Sequence, residues 1–166
     1  MTFHDIPRNA PVFLDANALV YHFTAHPQLG PECTWLLEQI EQGDVIGYTS
    51  AHVLSEMAHH LMIAEACAIH GWPAQGISRR LGRHPIEVRG LNLYRHAIDE
   101  IPLYNIKVLP ITDHLVSLAA DVSYQNGLLC SDALIVATME DHGLVHLASN
   151  DADFDRVPAI IRYAPV

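Results

Sequence analysis

Short apolar runs of strand length alternate along this chain with longer segments of helical periodicity. The candidate strands are the apolar start of PVFLDAN, then VIGYT, NIKVLPI, LVHLASN and AIIRYAP, of which the last would lie at an edge of the sheet. Between them lie segments such as VLSEMAHHLM, in which apolar residues recur at intervals of three and four. Strands that alternate with helices form βαβ units, so we predict an α/β fold with a mostly parallel sheet.

Polar residues and glycines mark the ends of the predicted helices. Thr49 or Ser50 is placed to cap the helix after the second strand, and this helix should end near Gly71. Thr112 should cap the helix that ends at Asn126-Gly127. Ser131 is expected to cap the helix DALIVATMEDHG.

Four acidic residues lie at the ends of predicted strands or near the start of the following helices. They are Asp15, Glu56, Asp132 and Asp151. Ligands of parallel α/β folds bind outside the carboxyl ends of the strands, so these carboxylates should converge. Neighbouring carboxylates repel one another, and a bound divalent ion removes that repulsion. A set of oxygen ligands without cysteine suits Mg²⁺ or Mn²⁺, and such ions catalyse phosphodiester hydrolysis.

Each of these acids also has a purely structural interpretation, because Asp is common in turns and at helix caps. Four of them at one predicted sheet edge favour a functional site. Asp153, two residues beyond Asp151, is an additional or alternative metal ligand. We therefore predict a metal-dependent phosphodiesterase, most plausibly a ribonuclease.

The distribution of charge is uneven. The net charge of −10 disfavours a polyanionic partner over most of the surface. Five of the nine basic residues, however, lie within seventeen positions: Arg79, Arg80, Arg83, Arg89 and Arg95. This stretch is either a solvated helical face or a surface that binds RNA phosphates.

The length of 166 residues fits a single domain spanning 1–166. No apolar run is long enough to cross a membrane, and the first residues do not resemble a signal peptide, so we expect a soluble, cytoplasmic protein. Cys33, Cys67 and Cys130 are odd in number and widely spaced, which predicts reduced, buried packing residues.

The motifs together resemble those of the PIN-domain ribonucleases, particularly the VapC-like toxins of type II toxin–antitoxin systems. The resemblance rests on VFLDANALV, the SEM segment around Glu56, SDALIVATMEDHG and LASNDADFDRVP. It implies a three-layer α/β/α fold around a five-stranded sheet, metal-dependent cleavage of structured RNA, a small antitoxin partner and frequent homodimerisation. By position, the four acids match the family's acidic quartet, and Asn17 and Ser131 match polar positions beside it. This chain has a longer helical, arginine-bearing region at about 72–104.

Three alternatives remain open at this point. His52, Glu56 and His60 are spaced by four on one predicted helix and form a candidate zinc site. A phosphatase of the haloacid dehalogenase type also starts from an Asp after the first strand, but it needs an acid at position 17, where this chain has Asn17. The third alternative is a domain of the same fold that binds RNA or protein without catalysis.

Overall fold

The computed structural model describes residues 1–166 and contains one five-stranded sheet, in which every strand pair is parallel. The strands are β1 (Pro11–Leu14), β2 (Ile46–Ser50), β3 (Lys107–Leu109), β4 (His146–Ala148) and β5 (Ile161–Tyr163). Their order across the sheet is β3-β2-β1-β4-β5. The predicted parallel, five-stranded sheet is confirmed, with β1 at its centre and β5 at one edge.

Eight α-helices connect and flank the strands. They are α1 (Ala16–Phe23), α2 (Gly30–Glu41), α3 (Ala51–His70), α4 (Ile77–Leu81), α5 (Pro85–Gly90), α6 (Leu93–Glu100), α7 (Asp113–Asn126) and α8 (Cys130–Asp141). Short 3₁₀ helices span Phe3–Asp5, Ile101–Tyr104 and Ala152–Arg156. No helix has the length and apolar character needed to cross a membrane.

Two of the predicted helix caps are confirmed and one is wrong. The Ser50 hydroxyl accepts the backbone N–H of Val53 at 3.2 Å, and Thr112 caps α7 in the same way. Helix α8, in contrast, begins at Cys130 after an N-cap at Leu129. Leu129, whose backbone is extended, occupies the N-cap position. Ser131 therefore lies in the first turn of the helix, and its hydroxyl is free for another contact.

The main hydrophobic core lies between the sheet and its flanking helices. Its largest fully buried side chains include Phe13, Leu36, Met57 and Tyr163. Full burial of one such side chain contributes about 1.5–3 kcal/mol to folding. Helix α8 is buried over residues 133–139, so its first turn is held firmly beside the sheet edge.

A second, smaller core supports what we call the arginine segment, residues 72–104. Its buried members are Ala66, Ile77, Leu81 and Leu91. Ala66 belongs to the C-terminal half of α3, and the other three come from the arginine segment. The predicted long helical region therefore consists of short helices, α4 to α6, that pack on α3.

A carboxylate of α3 also fastens the arginine segment. Glu65 accepts the backbone N–H groups of Asn92 at 3.0 Å and of Leu93 at 2.9 Å. These N–H groups lie at the start of α6, where a helix leaves its first donors without internal partners. Glu65 therefore acts as a cap supplied by a neighbouring helix.

The three cysteines are free, and they differ in exposure. Cys33 is buried in the main core, and burial raises the pKa of its thiol to about 12. Cys67 is half-buried, but Cys130 is exposed. The prediction of three buried packing residues is wrong for Cys130, because it is the first residue of α8 and lies at the exposed helix end.

Candidate active site

Asp15 follows β1 directly and is almost fully buried. One carboxylate oxygen accepts the backbone N–H of Ala16 at 2.6 Å, which makes Asp15 the N-cap of α1. The other oxygen accepts the hydroxyl of Ser149 at 2.6 Å and the side-chain amide of Asn17. Hydrogen bonds from three directions therefore fix the carboxylate.

Ser149 is a site residue that the sequence reasoning missed. It follows β4, is completely buried, and accepts the backbone N–H of Asp151 and the Asn17 amide, each at 3.0 Å. Its hydroxyl thus connects the residues after β1 with those after β4. The available signal was its place at the end of the strand adjacent to β1.

Asn17 joins the same two chain segments. Its side-chain nitrogen donates to Asp15 and Ser149, and its side-chain oxygen accepts the backbone N–H of Asn150 at 3.1 Å. Both ends of the amide are therefore used in holding Asp15 and the loop after β4.

Glu56 reaches the site from α3, where Ser131 of α8 holds it. The Ser131 hydroxyl donates to one oxygen of Glu56. His52, one turn before Glu56, places its Nε2 atom 3.0 Å from the Ser131 hydroxyl and 3.6 Å from the other Glu56 oxygen. Ser131 thus positions Glu56 instead of capping α8.

A cleft of about 290 Å³ brings the four predicted acids together. Its walls are Asp15, Ala16, Asn17, Val20, Tyr21, Glu56, His60, Asp132 and Asp151. No Lys or Arg forms an ion pair with any of the four carboxylates. The cleft therefore concentrates negative charge, with His52 as the one basic side chain within ion-pair distance of these carboxylates.

The pKa values of two of these acids are raised. Burial raises the pKa of Asp15 to about 6, despite hydrogen bonds from Ser149 and Ala16 that lower it, and the charges of Glu56 and Asp132 raise it further.

Burial also raises the pKa of Asp132, and the charges of Asp151, Glu56 and Asp153 add to this effect, while His52 opposes it. Each charge raises the pKa because a second negative charge nearby makes ionisation less favourable. Burial first, and then the neighbouring carboxylates, therefore disfavour ionisation of Asp15 and Asp132.

Asp151 and Asp153 have different surroundings. Asp151 lines the cleft and caps the 3₁₀ helix, accepting the backbone N–H of Asp153 at 2.9 Å. The Asp153 carboxylate lies 2.8 Å from Arg156 and is not part of the cleft wall. The structure therefore places Asp151 inside the cleft and Asp153 beside it.

The donor set fits a hard divalent cation, although no cage of ligands is preformed. No group of three or more His, Cys, Asp or Glu side chains is spaced to hold a metal ion, and this includes the histidines of the zinc alternative. The cleft nevertheless presents four carboxylates and no thiolate, the ligand chemistry that Mg²⁺ and Mn²⁺ prefer. Such an ion would neutralise the charge that raises the pKa values of Asp15 and Asp132.

The five predicted RNA-binding arginines do not lie together. Arg79, Arg80 and Arg83 line a second cavity, of about 310 Å³, outside the acidic cleft. Arg89 and Arg95 are exposed and do not line it.

Comparisons with known proteins agree with this architecture. The family model described as PIN domain matches residues 12–160. A comparison with curated protein sequences finds no match.

Among solved structures, VapBC2 from Rickettsia felis, bound to a DNA fragment from its promoter, is similar with 17% identity and a TM-score of 0.59, over 94% of this chain and 99% of that chain. VapC20 from Mycobacterium tuberculosis, a toxin that cleaves the sarcin–ricin loop, has 19% identity and a TM-score of 0.59. The match covers 89% of this chain and 95% of that chain. A toxin–antitoxin complex from Klebsiella pneumoniae has 15% identity and a TM-score of 0.53, over 90% and 95%.

Proposed function

Because this chain belongs to the PIN domain family, we propose that it is a metal-dependent endoribonuclease and the toxin of a toxin–antitoxin pair. One observation carries the proposal: four carboxylates line a single cleft, and no Lys or Arg forms an ion pair with them. A cleft of this charge repels a phosphodiester unless a cation is bound in it.

Asp15, Glu56, Asp132 and Asp151 would hold Mg²⁺ or Mn²⁺. When bound, such an ion polarises a phosphoryl oxygen and lowers the pKa of a coordinated water. The protein's part is to hold the carboxylates oriented and close together.

The supporting polar residues orient the carboxylates. Ser149 and Asn17 donate to one oxygen of Asp15, and Ser131 donates to Glu56. Positioned ligands avoid the cost of reorganising at the moment of reaction. Asn17 takes the position at which a phosphatase of the haloacid dehalogenase type needs an acid, and here its amide holds Asp15, so this alternative is disfavoured.

The proposal includes two macromolecular partners. Positive charge that attracts RNA at long range is supplied, in a chain that is otherwise acidic, by Arg79, Arg80, Arg83, Arg89 and Arg95. A small antitoxin protein would inhibit the enzyme. This part is supported by the similarity in fold to VapBC2 and to the Klebsiella pneumoniae toxin–antitoxin complex.

The test is cleavage of total cellular RNA by the purified protein with Mg²⁺, with Mn²⁺ and with EDTA. The Asp132→Asn variant serves as the control. We expect discrete fragments that require metal and that are absent from the variant. RNA that is bound but intact in every lane would instead favour the non-catalytic binding domain.

A further inference from the structure

The cavity beside α4, which we call the arginine pocket, is unusually positive for this chain. Its walls are Gln75, Gly76, Arg79, Arg80, Arg83 and His84. None is acidic and none is apolar, in a protein whose net charge is −10. We propose that the arginine pocket binds a backbone phosphate of the RNA substrate outside the acidic cleft. This inference rests on the proposed function and adds a second contact point on the same substrate.

The arginines of this region differ from the other arginines of the protein because they form no ion pairs. Every arginine outside the arginine segment forms an ion pair with an aspartate: Arg8 with Asp44 at 2.9 Å, Arg156 with Asp153 at 2.8 Å, and Arg162 with Asp155 at 2.7 Å. All five arginines of the segment lack such a partner. Glu87, the only acidic residue between Arg79 and Arg95, lies 3.4 Å from His70 instead. Three unpaired guanidinium groups around one cavity repel each other, and a bound anion removes the repulsion.

Aromatic and backbone contacts hold the pocket in place. The guanidinium carbon of Arg80 lies 4.8 Å from the ring centroid of Trp72, which is stacked on His70. The His84 ring contacts the backbone oxygen of Arg80 at 2.7 Å. The small core under α4 fixes this helix on α3. Because its walls are ordered in advance, the pocket loses less conformational entropy when it binds a ligand.

The ligand chemistry favours phosphate. A guanidinium group offers a planar pair of N–H donors that matches two phosphate oxygens, and several of them around one cavity can contact a tetrahedral anion from different sides. An acidic peptide offers planar carboxylates instead, and this alternative is an outcome of the test below.

Helix α4, which carries the arginine pocket, contacts α3 at a residue beside one that lines the acidic cleft. Ser78, the residue before Arg79, has its hydroxyl 3.3 Å from the ring of His59. The next residue on α3, His60, lines the acidic cleft. Helix α3 therefore borders the acidic cleft at His60 and contacts α4 at His59. An RNA strand that leaves the cleft along α3 runs toward the arginine pocket.

The test measures binding without cleavage. A fluorescent oligoribonucleotide is titrated with protein carrying Asp132→Asn, in EDTA and at several salt concentrations. The pocket variant adds Arg79→Ala and Arg83→Ala. The matched control adds Arg89→Ala and Arg95→Ala, which remove the same charge from unpaired arginines outside the pocket. Circular dichroism establishes that all proteins are folded.

We expect the pocket variant to bind at least about tenfold more weakly at 0.1 M salt, with a salt dependence reduced by about 0.7 for each lost phosphate contact. The control should lose less than about threefold. Equal losses in the two variants would show that only general charge matters and would overturn the inference. Displacement of RNA by a polyglutamate peptide at a lower concentration than by unlabelled RNA would also overturn it, in favour of an acidic protein ligand.

Cleavage assays with the same arginine substitutions in active protein separate this inference from the proposed function. If RNA is cut and the pocket variant behaves like the control, the nuclease stands and the arginine pocket does not. If no RNA is cut but the pocket variant alone loses binding, the phosphate site stands and the nuclease does not.

Discussion

The hydroxyl of Ser149 offers a direct test of how the acidic cleft is built. It is fully buried, donates to Asp15 at 2.6 Å, and accepts the backbone N–H of Asp151 at 3.0 Å. In Ser149→Ala, the buried carboxylate loses a charge-assisted hydrogen bond, which is worth about 1.5–3 kcal/mol. The backbone N–H also loses its acceptor, at a cost of about 1 kcal/mol.

We therefore expect the free energy of unfolding to fall by about 3 kcal/mol at pH 8 in EDTA. For a chain of this size, the melting temperature should fall by about 6–12 °C. The assay is urea denaturation followed by circular dichroism. Ser117→Ala is the control, because that hydroxyl is exposed and bonds only within its own helix; it should change stability by less than about 0.5 kcal/mol.

The effect should depend on pH in a defined direction. Folding raises the pKa of Asp15 from 3.8 to about 6, so its ionisation destabilises the folded state fully above pH 6 and not at all below 3.8. The Ser149 hydrogen bond lowers this pKa, and its loss must raise it further. At pH 5 the carboxyl of the folded variant is protonated, and the penalty should shrink to about 1 kcal/mol, the value of a neutral hydrogen bond. A penalty of the same size at pH 5 and pH 8 would refute the reasoning.

Two further predictions concern the metal and the arginine segment. Mg²⁺ at about 100 times its dissociation constant should stabilise the protein by about 2.7 kcal/mol, since it binds only the folded cleft. Thermal melts should show this stabilisation as a higher melting temperature. An equal rise in the melting temperature of Asp132→Asn would contradict the assigned ligands. Glu65→Ala removes the cap of α6 and should cost about 1–2 kcal/mol. Hydrogen exchange should then speed up at Asn92 and Leu93 first, and unchanged protection there would contradict the capping role.

The convergence of the four acids was predictable because it follows from topology. Asp15 follows β1 and Asp151 lies shortly after β4, and these strands are neighbours in a parallel sheet. Glu56 and Asp132 lie on the helices that begin at the same edge, within reach of the cleft. The position of each acid relative to its own strand or helix was sufficient to predict that the four converge. Their catalytic role stays a prediction.

The hydrogen bonds that organise the cleft were not predictable in this way. Ser149 and Asp15 are 134 residues apart, and Ser131 and Glu56 are 75 apart. Whether a serine hydroxyl caps its own helix or reaches another depends on tertiary packing. Sequence alone favours the local bond, which is why Ser131 was expected to cap α8, and only the family resemblance placed it beside the four acids.

The same limit applies to the arginines. Their clustering was visible in the sequence, but their ion pairing was not. The sequence could not separate the three that line the arginine pocket from Arg89 and Arg95, because the difference arises from how α4, α5 and α6 are arranged on α3.

Helix α3 links the two sites mechanically. It is a single helix of twenty residues, about 30 Å long, without Gly or Pro. Glu56 lies near its first turns, and Glu65 fastens the arginine segment nine residues later. A continuous helix tilts as a rigid rod, so a tilt of α3 that moves Glu56 also displaces the arginine segment. An inhibitor that holds the far end of α3 could therefore disturb the cleft without entering it.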